Sequence, residues 1–433
     1  MQMRTSRKFE IKNTEIIKDR LLQWAHHHRE VVWLDSNNNP SEYQSFEAVL
    51  AVDAFTAIQT DYVDAFKKLH EYQKSVQDWI FGYLTYDVKN AVEDLHSNNY
   101  DGLAFPDLFF FQPKKIIFIQ NNQLHFEYLN FCSDEIEEDF HTIESLFFQE
   151  ISHSTEIHIQ QRISKEEYLQ KVQALQEHIH RGDIYEVNFC MEFFSENAPI
   201  NPLNTYQKLN QISQAPFSVY LKNHQHYLLC ASPERYLKKQ GEQIISQPIK
   251  GTAPRSLDES VDKSNKEQLQ HNLKERSENI MIVDLVRNDL SKTAQKGSVQ
   301  VLELCGVYTY KQVHQLISTI SSKLHSDYSP VSAIESTFPM GSMTGAPKIS
   351  AMQLIEKFEE TQRGLYSGAV GYFTPTGDFD FNVVIRSILY NAKNQYLSFS
   401  SGSAITALSV PEQEYQECLL KAQAMKQVLN SDV

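Results

Sequence analysis

The stretch 231–255, ASPERYLKKQGEQIISQPIKGTAPR, decides how the chain is read. The runs YLLCA (227–231) and QIISQPI (243–249) are apolar and β-prone, and KKQGEQ between them supplies a polar turn around Gly241, so the segment reads as a strand-turn-strand hairpin. A carboxyl group, Glu234, and an amine, Lys250, fall at the same end of that hairpin, just outside the paired runs. A carboxylic acid facing an amine can expel a hydroxyl and put a nucleophile in its place. A solvated Glu and Lys at a hairpin end is the alternative; Pro248, Gly251 and Pro254 argue for a shaped loop at Lys250.

The bulk properties narrow the partners. With 433 residues and 41% hydrophobic content, the chain can bury one large core or two modest ones. A net charge of −15 excludes nucleic acid and anionic membrane as natural partners, so an anionic substrate needs a local positive site. No apolar run approaches a membrane span, and the N-terminus MQMRTSRKFEIKN lacks the apolar segment of an export signal. The five cysteines (Cys132, Cys190, Cys230, Cys305, Cys418) are scattered and without C-x-x-C spacing, which fits reduced thiols of a cytoplasmic protein, with Cys305 in the core.

Along the chain, VVWLD (31–35), WIFGYLTYD (79–87) and KKIIFIQ (114–120) read as strands and 61–77 as a helix. The charged stretch 132–158 reads as a connector containing a surface helix. In 162–190, Ser164 and Glu167 have capping-box spacing, Gly182 ends the helix, and IYEVNFC begins a strand. Residues 265–292 read as one long amphipathic helix carrying Glu275 and Glu278 on one face, and 409–430 as a second, with Ser409 as N-cap and Glu412 in capping-box position. Glu414 and Glu417 repeat the three-residue spacing there, and Lys421 follows one turn after Glu417. A solvated helix face accounts for one such acidic pair. Two pairs on two helices, with no Cys or His cluster, specify an oxygen-only site for a hard cation, and Mg²⁺ fits it best. Between them, 338–359 reads as a Gly/Pro loop entering a helix at Lys348, with the wrong spacing for a Walker A motif. RGLYSGAVGYF (363–373) and FDFNVVIRSILY (379–390) read as strands. Arg386, inside the apolar run VVIRSIL, calls for an anionic partner, and SGSAIT (401–406) can turn amides toward a carboxylate.

These motifs resemble the chorismate-utilising enzymes. From 160 to 431, GDIYEVN, SPER, PIKGT, ERSENIMIVDLVRNDL, GSMTGAPK, LYSGAVGY, NVVIRS and EYQECLLKA follow the family in order and spacing. Residues 1–150 match more loosely: WLDS (33–36) resembles a tryptophan-site segment and GYLTYD the GYxxYD segment after it. The resemblance implies an α+β fold, a large β-sandwich of two packed antiparallel sheets surrounded by helices. Within it, 1–150 is an N-terminal part integrated in the fold and 160–431 the chorismate-binding catalytic part.

The resemblance also implies roles. Glu278 and Glu417 would be direct Mg²⁺ ligands supported by Glu275 and Glu414, and the metal would hold the ring carboxylate of chorismate. Tyr366, Arg386, Lys421 and the amides around Gly402 would hold the enolpyruvyl carboxylate, with Thr252 and Ser342 close by. PIKGT resembles the aminodeoxychorismate synthase component I branch of para-aminobenzoate and folate synthesis, whereas the anthranilate branch, the alternative, has alanine in place of Lys250. Lys250 would attack the ring with Glu234 as its acid, and ammonia would then displace it to give 4-amino-4-deoxychorismate. For that Lys250 must be neutral. Bringing a lysine from about 10.4 to near 7 costs roughly 4–5 kcal/mol, which burial beside a cation can supply. Glu186 stands where isochorismate-forming relatives carry a water-activating lysine and aminating ones usually glutamine, which disfavours hydration. Gln315 replaces a usual histidine, with His314 one place earlier, Ala404 replaces a glycine, and Leu408 and Val410 replace acidic residues. No glutaminase segment is visible, so a separate glutamine amidotransferase subunit is implied, with tryptophan as a possible bound ligand. A tryptophan-binding regulatory protein without catalysis is the reading from a different class.

Overall fold

Two 13-residue strands, Ala48–Thr60 and Leu108–Gln120, tie the molecule together. They pair antiparallel from Ala48↔Ile119 to Thr60↔Leu108, with a register shift between Ala54 and Thr56. An irregularity of this kind bends a strand pair, so its two halves enter different sheets. The 48–52 half continues through Glu30–Asp35, Phe217–Asn223, His226–Ser232, Ser387–Asn391, Tyr396–Ile405 and Glu186–Ser195. The other half continues through Ile80–Leu84, Ala369–Phe373, Phe379–Asn382, Arg235–Gln240, Gln243–Gln247 and Val313–Lys323. Ile249–Pro254 and Gln300–Thr309 both pair with that last strand. This computed structural model describes residues 3–39, 41–147, 157–311 and 313–429. Every ladder between named strands among them is antiparallel.

Alternation along each strand builds the two cores. Val32, Val49, Val219 and Leu228 point into the space between the sheets, where they meet Phe81, Phe110, Leu237 and Phe381 of the facing sheet. Their neighbours Val31, Leu50, Tyr220 and Leu229 point the other way, onto a layer that includes helices Thr14–Ala25, Lys165–Arg181, Pro202–Ser213 and Pro411–Leu429. Burying one such side chain is worth about 1.5–3 kcal/mol. The α+β sandwich implied by the motifs is the observed architecture. Its two sheets are one continuous hydrogen-bonded surface folded over at the long strand pair.

Several local readings hold: the helix after Ser164 has both halves of its capping box and ends at Gly182 in the left-handed region, and Cys305 is buried. The connector contains the helix Ile136–Ser145, while 148–156 lie outside the described residues. Others need correction. The hairpin joins Arg235–Gln240 to Gln243–Gln247; YLLCA instead belongs to a strand that pairs with Phe217–Asn223 and Ser387–Asn391. The charges of RYLKKQ hide its strand character, yet Lys238 lies buried with its ammonium on Tyr43 O at 2.7 Å. The helix read across 265–292 is two, Glu259–His271 and Leu273–Ser291, broken at Asn272, whose side chain accepts from Lys274 N at 3.0 Å and Glu275 N at 3.2 Å. Ser409 does not cap the last helix; its hydroxyl serves Thr406 N at 3.1 Å, and Glu412 pairs with Lys165. The runs 363–373 and 379–390 are strands only at Ala369–Phe373, Phe379–Asn382 and Ser387–Asn391. No helix among the described residues is long and apolar enough to cross a membrane.

Candidate active site

The hairpin delivers its acid and amine to one buried place. Arg235↔Gln247 is its last pair, so Glu234 precedes the first strand and Lys250 follows the second. Glu234 is 4% exposed, and its carbonyl accepts from Val383 N at 3.0 Å. Burial pushes the Glu234 carboxyl up to about 7, against the opposing pull of the Ser342 hydroxyl and the Lys250 and Lys421 ammonium groups. Ser342 is itself buried, with an Oγ that makes no close hydrogen bond, at the start of the loop entering helix Lys348–Phe358.

Lys250 Nζ donates to Glu186 Oε1 at 2.8 Å, with the two side chains 11% and 1% exposed. Burial alone would lower the lysine, but the carboxylates of Glu186, Glu278 and Glu234 outweigh it and hold the ammonium above the ordinary lysine value. The expectation of a neutral Lys250 beside a cation is thereby corrected: its closest partner is an anion. In the sequence Glu186 marks only the loss of a water-activating amine. Its place in this pair was missed because the partner is 64 residues away.

The four glutamates of the two E-x-x-E pairs come from the first two turns of Leu273–Ser291 and Pro411–Leu429. Glu278 and Glu414 are buried, whereas Glu417 keeps 43% of its side chain exposed and pairs with Lys421 at 2.6 Å. Lys274 Nζ stands between the helices, 3.2 Å from Glu414 Oε1 and 3.8 Å from Glu278 Oε1. Among the described residues no three acidic, His or Cys side chains are gathered closely enough to share a metal ion as they stand. The donor set nonetheless fits a hard cation. Glu278 Oε1 is buried without a hydrogen-bond partner, and burial pushes its carboxyl up to about 7, the mark of a carboxylate short of positive charge. Glu275 is raised for the same reason, with Glu417 adding to it.

Arg386 sits at φ +52°, a left-handed conformation that costs a non-glycine residue about 1–2 kcal/mol. Its guanidinium has one long contact, Nη1 to Lys421 O at 3.4 Å, and no side-chain carboxylate in ion-pair range among the described residues. Burial lowers its pKa, with Tyr366 and Glu417 opposing. The anionic partner demanded by its apolar run is therefore not supplied by the neighbouring side chains. Lys421 Nζ donates to Gly402 O at 2.9 Å. Gly402 lies inside the strand Tyr396–Ile405 opposite Cys190, where a Cβ would meet Cys190 Sγ at 2.5 Å. The Cys190 amide goes to Glu359 Oε1 at 2.9 Å, so it does not serve the ladder. Thr252 is exposed and pairs with Gln315, whose Oε1 is buried without a partner, while His314 turns away to Asp262 and Thr309.

A second pocket opens elsewhere, lined by Ser36, Phe46, Pro216, Phe217, Arg235 and Asp380 among others. WLDS contributes Leu34, Asp35 and Ser36 to its wall; GYLTYD contributes nothing to it, being strand Ile80–Leu84 and a 3-10 turn.

Comparison with known proteins places the chain among relatives of similar sequence and fold. The chain is 31% identical to aminodeoxychorismate synthase component 1 of Bacillus subtilis over 83% of its own length and 78% of that protein. It is 34% identical to anthranilate synthase component 1 of Thermus thermophilus over 80% and 76%. Of several longer aminodeoxychorismate synthases it spans only 28–38% of the length. The fold matches that of anthranilate synthase component I from Streptococcus pneumoniae with a TM-score of 0.77 at 23% identity, over 90% of this chain and 95% of that one. A profile for chorismate binding enzymes matches residues 29–427, and the chain belongs to that family.

Proposed function

We propose that the chain aminates chorismate to 4-amino-4-deoxychorismate, using ammonia from a separate glutamine amidotransferase subunit. The observation that carries this reading is the convergence of Lys250 and Glu234 in one buried site, an amine and an acid able to replace a hydroxyl. The name of the Bacillus subtilis relative supports the same chemistry. The Thermus relative is as similar, so overall identity does not separate para from ortho amination; Lys250, alanine in the anthranilate branch, favours para.

Near neutrality Glu234 keeps a substantial protonated fraction and can donate to the departing hydroxyl, which leaves as water. Lys250 rests as an ammonium and gives up one proton, offsetting the one that Glu234 passes to the departing hydroxyl, before its electron pair attacks the ring. Ammonia then forms the bond at the para carbon as the bond to Lys250 breaks. Arg386, without a carboxylate partner of its own, would bind the enolpyruvyl carboxylate together with Tyr366, Lys421 and the Gly402 region, with Thr252 and Ser342 beside the ring. Glu278 and Glu417, supported by Glu275 and Glu414, would hold Mg²⁺, which when bound supplies positive charge to the ring carboxylate. For this Lys274 has to yield its place between Glu278 and Glu414. The pocket bearing Ser36 is proposed to take tryptophan.

Incubation with chorismate, Mg²⁺ and ammonium, followed by product identification, tests the reading. A para-amino product that retains the enolpyruvyl group is the expected result; fluorescent anthranilate moves the chain to the ortho branch, and no chorismate consumption overturns catalysis.

A further inference from the structure

We infer that Tyr86 and Asp87 are positioning residues for the enolpyruvyl carboxylate: they clamp the turn 363–366 that carries Tyr366, and Arg363 passes the clamp on to the strands around the substrate. This rests on the reading above, in which Tyr366, Arg386 and the Gly402 region take that carboxylate. It also gives a role to GYLTYD, which contributes nothing to the pocket bearing Ser36.

GYLTYD (82–87) runs alongside RGLYSGAVGYF (363–373) for most of its length. Its strand part pairs antiparallel, Leu84 with Ala369 and Gly82 with Gly371. The approach is tight, since a Cβ on Gly368 would lie 2.2 Å from Leu84 O. Beyond the strand, hydrogen bonds continue the contact. Tyr86 N donates to Gly364 O at 2.7 Å and Gly364 N donates to Asp87 Oδ2 at 2.8 Å, so both backbone groups of Gly364 are held. Gly364 has φ +55°, a left-handed conformation that favours glycine, and Tyr366 N closes the turn on Arg363 O at 3.1 Å.

The Tyr86 ring fixes the arginine of that turn. It is fully buried, and the Arg363 guanidinium lies over it, 4.5 Å from the ring centroid. The Tyr86 hydroxyl is buried without a hydrogen-bond partner, so the ring face and not the hydroxyl holds the cation. Held there, Arg363 reaches three elements of the site. Its Nη2 donates to Asn188 O at 2.8 Å, in the strand Glu186–Ser195, and its Nη1 to Met343 O at 2.6 Å, beside Ser342. Its Nε and Nη2 donate to Glu359 at 2.9 and 2.6 Å, and Ser367 Oγ lies 3.4 Å from Nη1. A rigid guanidinium fork engaged on every side has one orientation. Glu359 Oε1 in turn accepts from Cys190 N at 2.9 Å. Cys190 faces Gly402 across the ladder, and its Sγ lies 3.7 Å from Tyr366 OH. Contacts therefore run unbroken from Tyr86 through Arg363, Glu359 and Cys190 to Tyr366 and Gly402.

The test compares steady-state kinetics of the full chain, with Mg²⁺, chorismate and ammonium, for Tyr86→Leu and Tyr86→Phe. Tyr86→Leu removes the ring face and is expected to raise the KM for chorismate at least about fivefold, the worth of one desolvated cation–π contact, with the KM for ammonium within about twofold. Tyr86→Phe keeps the ring face and gives up only an unpartnered hydroxyl, so its KM for chorismate is expected within about twofold of the wild type. A Tyr86→Leu variant that lowers kcat at unchanged KM overturns the inference, because that marks a smaller active fraction and not a displaced carboxylate site. An equal rise in both KM values overturns it too, as does a Tyr86→Phe variant as impaired as Tyr86→Leu. Should Tyr86→Leu not fold, Asp87→Ala decides by the same chorismate KM, because it removes the acceptor of Gly364 N and keeps the ring. The product made by the wild type tests the amination reading separately. Anthranilate would move the chain to the ortho branch and leave the clamp to be judged by the same KM, whereas no consumption of chorismate fails that reading and this inference with it.

Discussion

Replacing Lys250 by methionine keeps most of the length of the side chain and removes its charge, leaving Glu186 with both oxygens buried and unpaired. Breaking one partner of a buried pair costs about 3–5 kcal/mol, and neither side chain is exposed enough for solvent to soften this. Glu186→Met costs less, because the stranded ammonium still faces Glu278 and Glu234. The two changes should therefore not add. The double variant K250M/E186M is expected to be more stable than K250M alone, with a coupling of about 2–3 kcal/mol. Urea unfolding of the four proteins, followed by fluorescence of Trp24, Trp33 and Trp79 without Mg²⁺ or chorismate, measures it. If the double variant is instead less stable than K250M by the full cost of E186M, the 2.8 Å contact is not an energetic pair, and the account of Lys250 as a held ammonium is wrong.

Glu234 and Glu278 are both raised to about 7 from 4.5, so their contribution to stability is fully present below about pH 4.5 and lost as pH rises through 7; Mg²⁺-free melting should show this decline, and Glu234→Gln with Glu278→Gln should flatten it. Glu278→Gln or Glu417→Gln should abolish turnover at ordinary Mg²⁺ with the fold intact by circular dichroism, and near-normal rates in both would remove the metal assignment. The purified chain should turn over chorismate with ammonium salts but not with glutamine, and glutamine-dependent product from it alone would contradict the need for an amidotransferase subunit.

The sequence by itself determined the parts whose cause is local. Capping at Ser164, the alternation Val31–Val32–Trp33 and the turn at Gly241 follow from neighbouring residues, and the sandwich was legible because its motifs recur in order. The two E-x-x-E pairs were legible for the same reason, since helical spacing alone puts each pair on one face. Tertiary structure decided what depends on residues far apart. Whether YLLCA or RYLKKQ forms the hairpin strand depends on which neighbours bury it, and Lys238 finds its partners Tyr43 and Ser45 nearly 200 residues away. Whether Lys250 is neutral or charged depends on Glu186, 64 residues upstream, and on Glu278, brought up by the helix beginning at Leu273. A charge on a side chain is set by every charge and every unit of buried surface around it, and those are properties of the folded chain, not of the stretch that carries the residue.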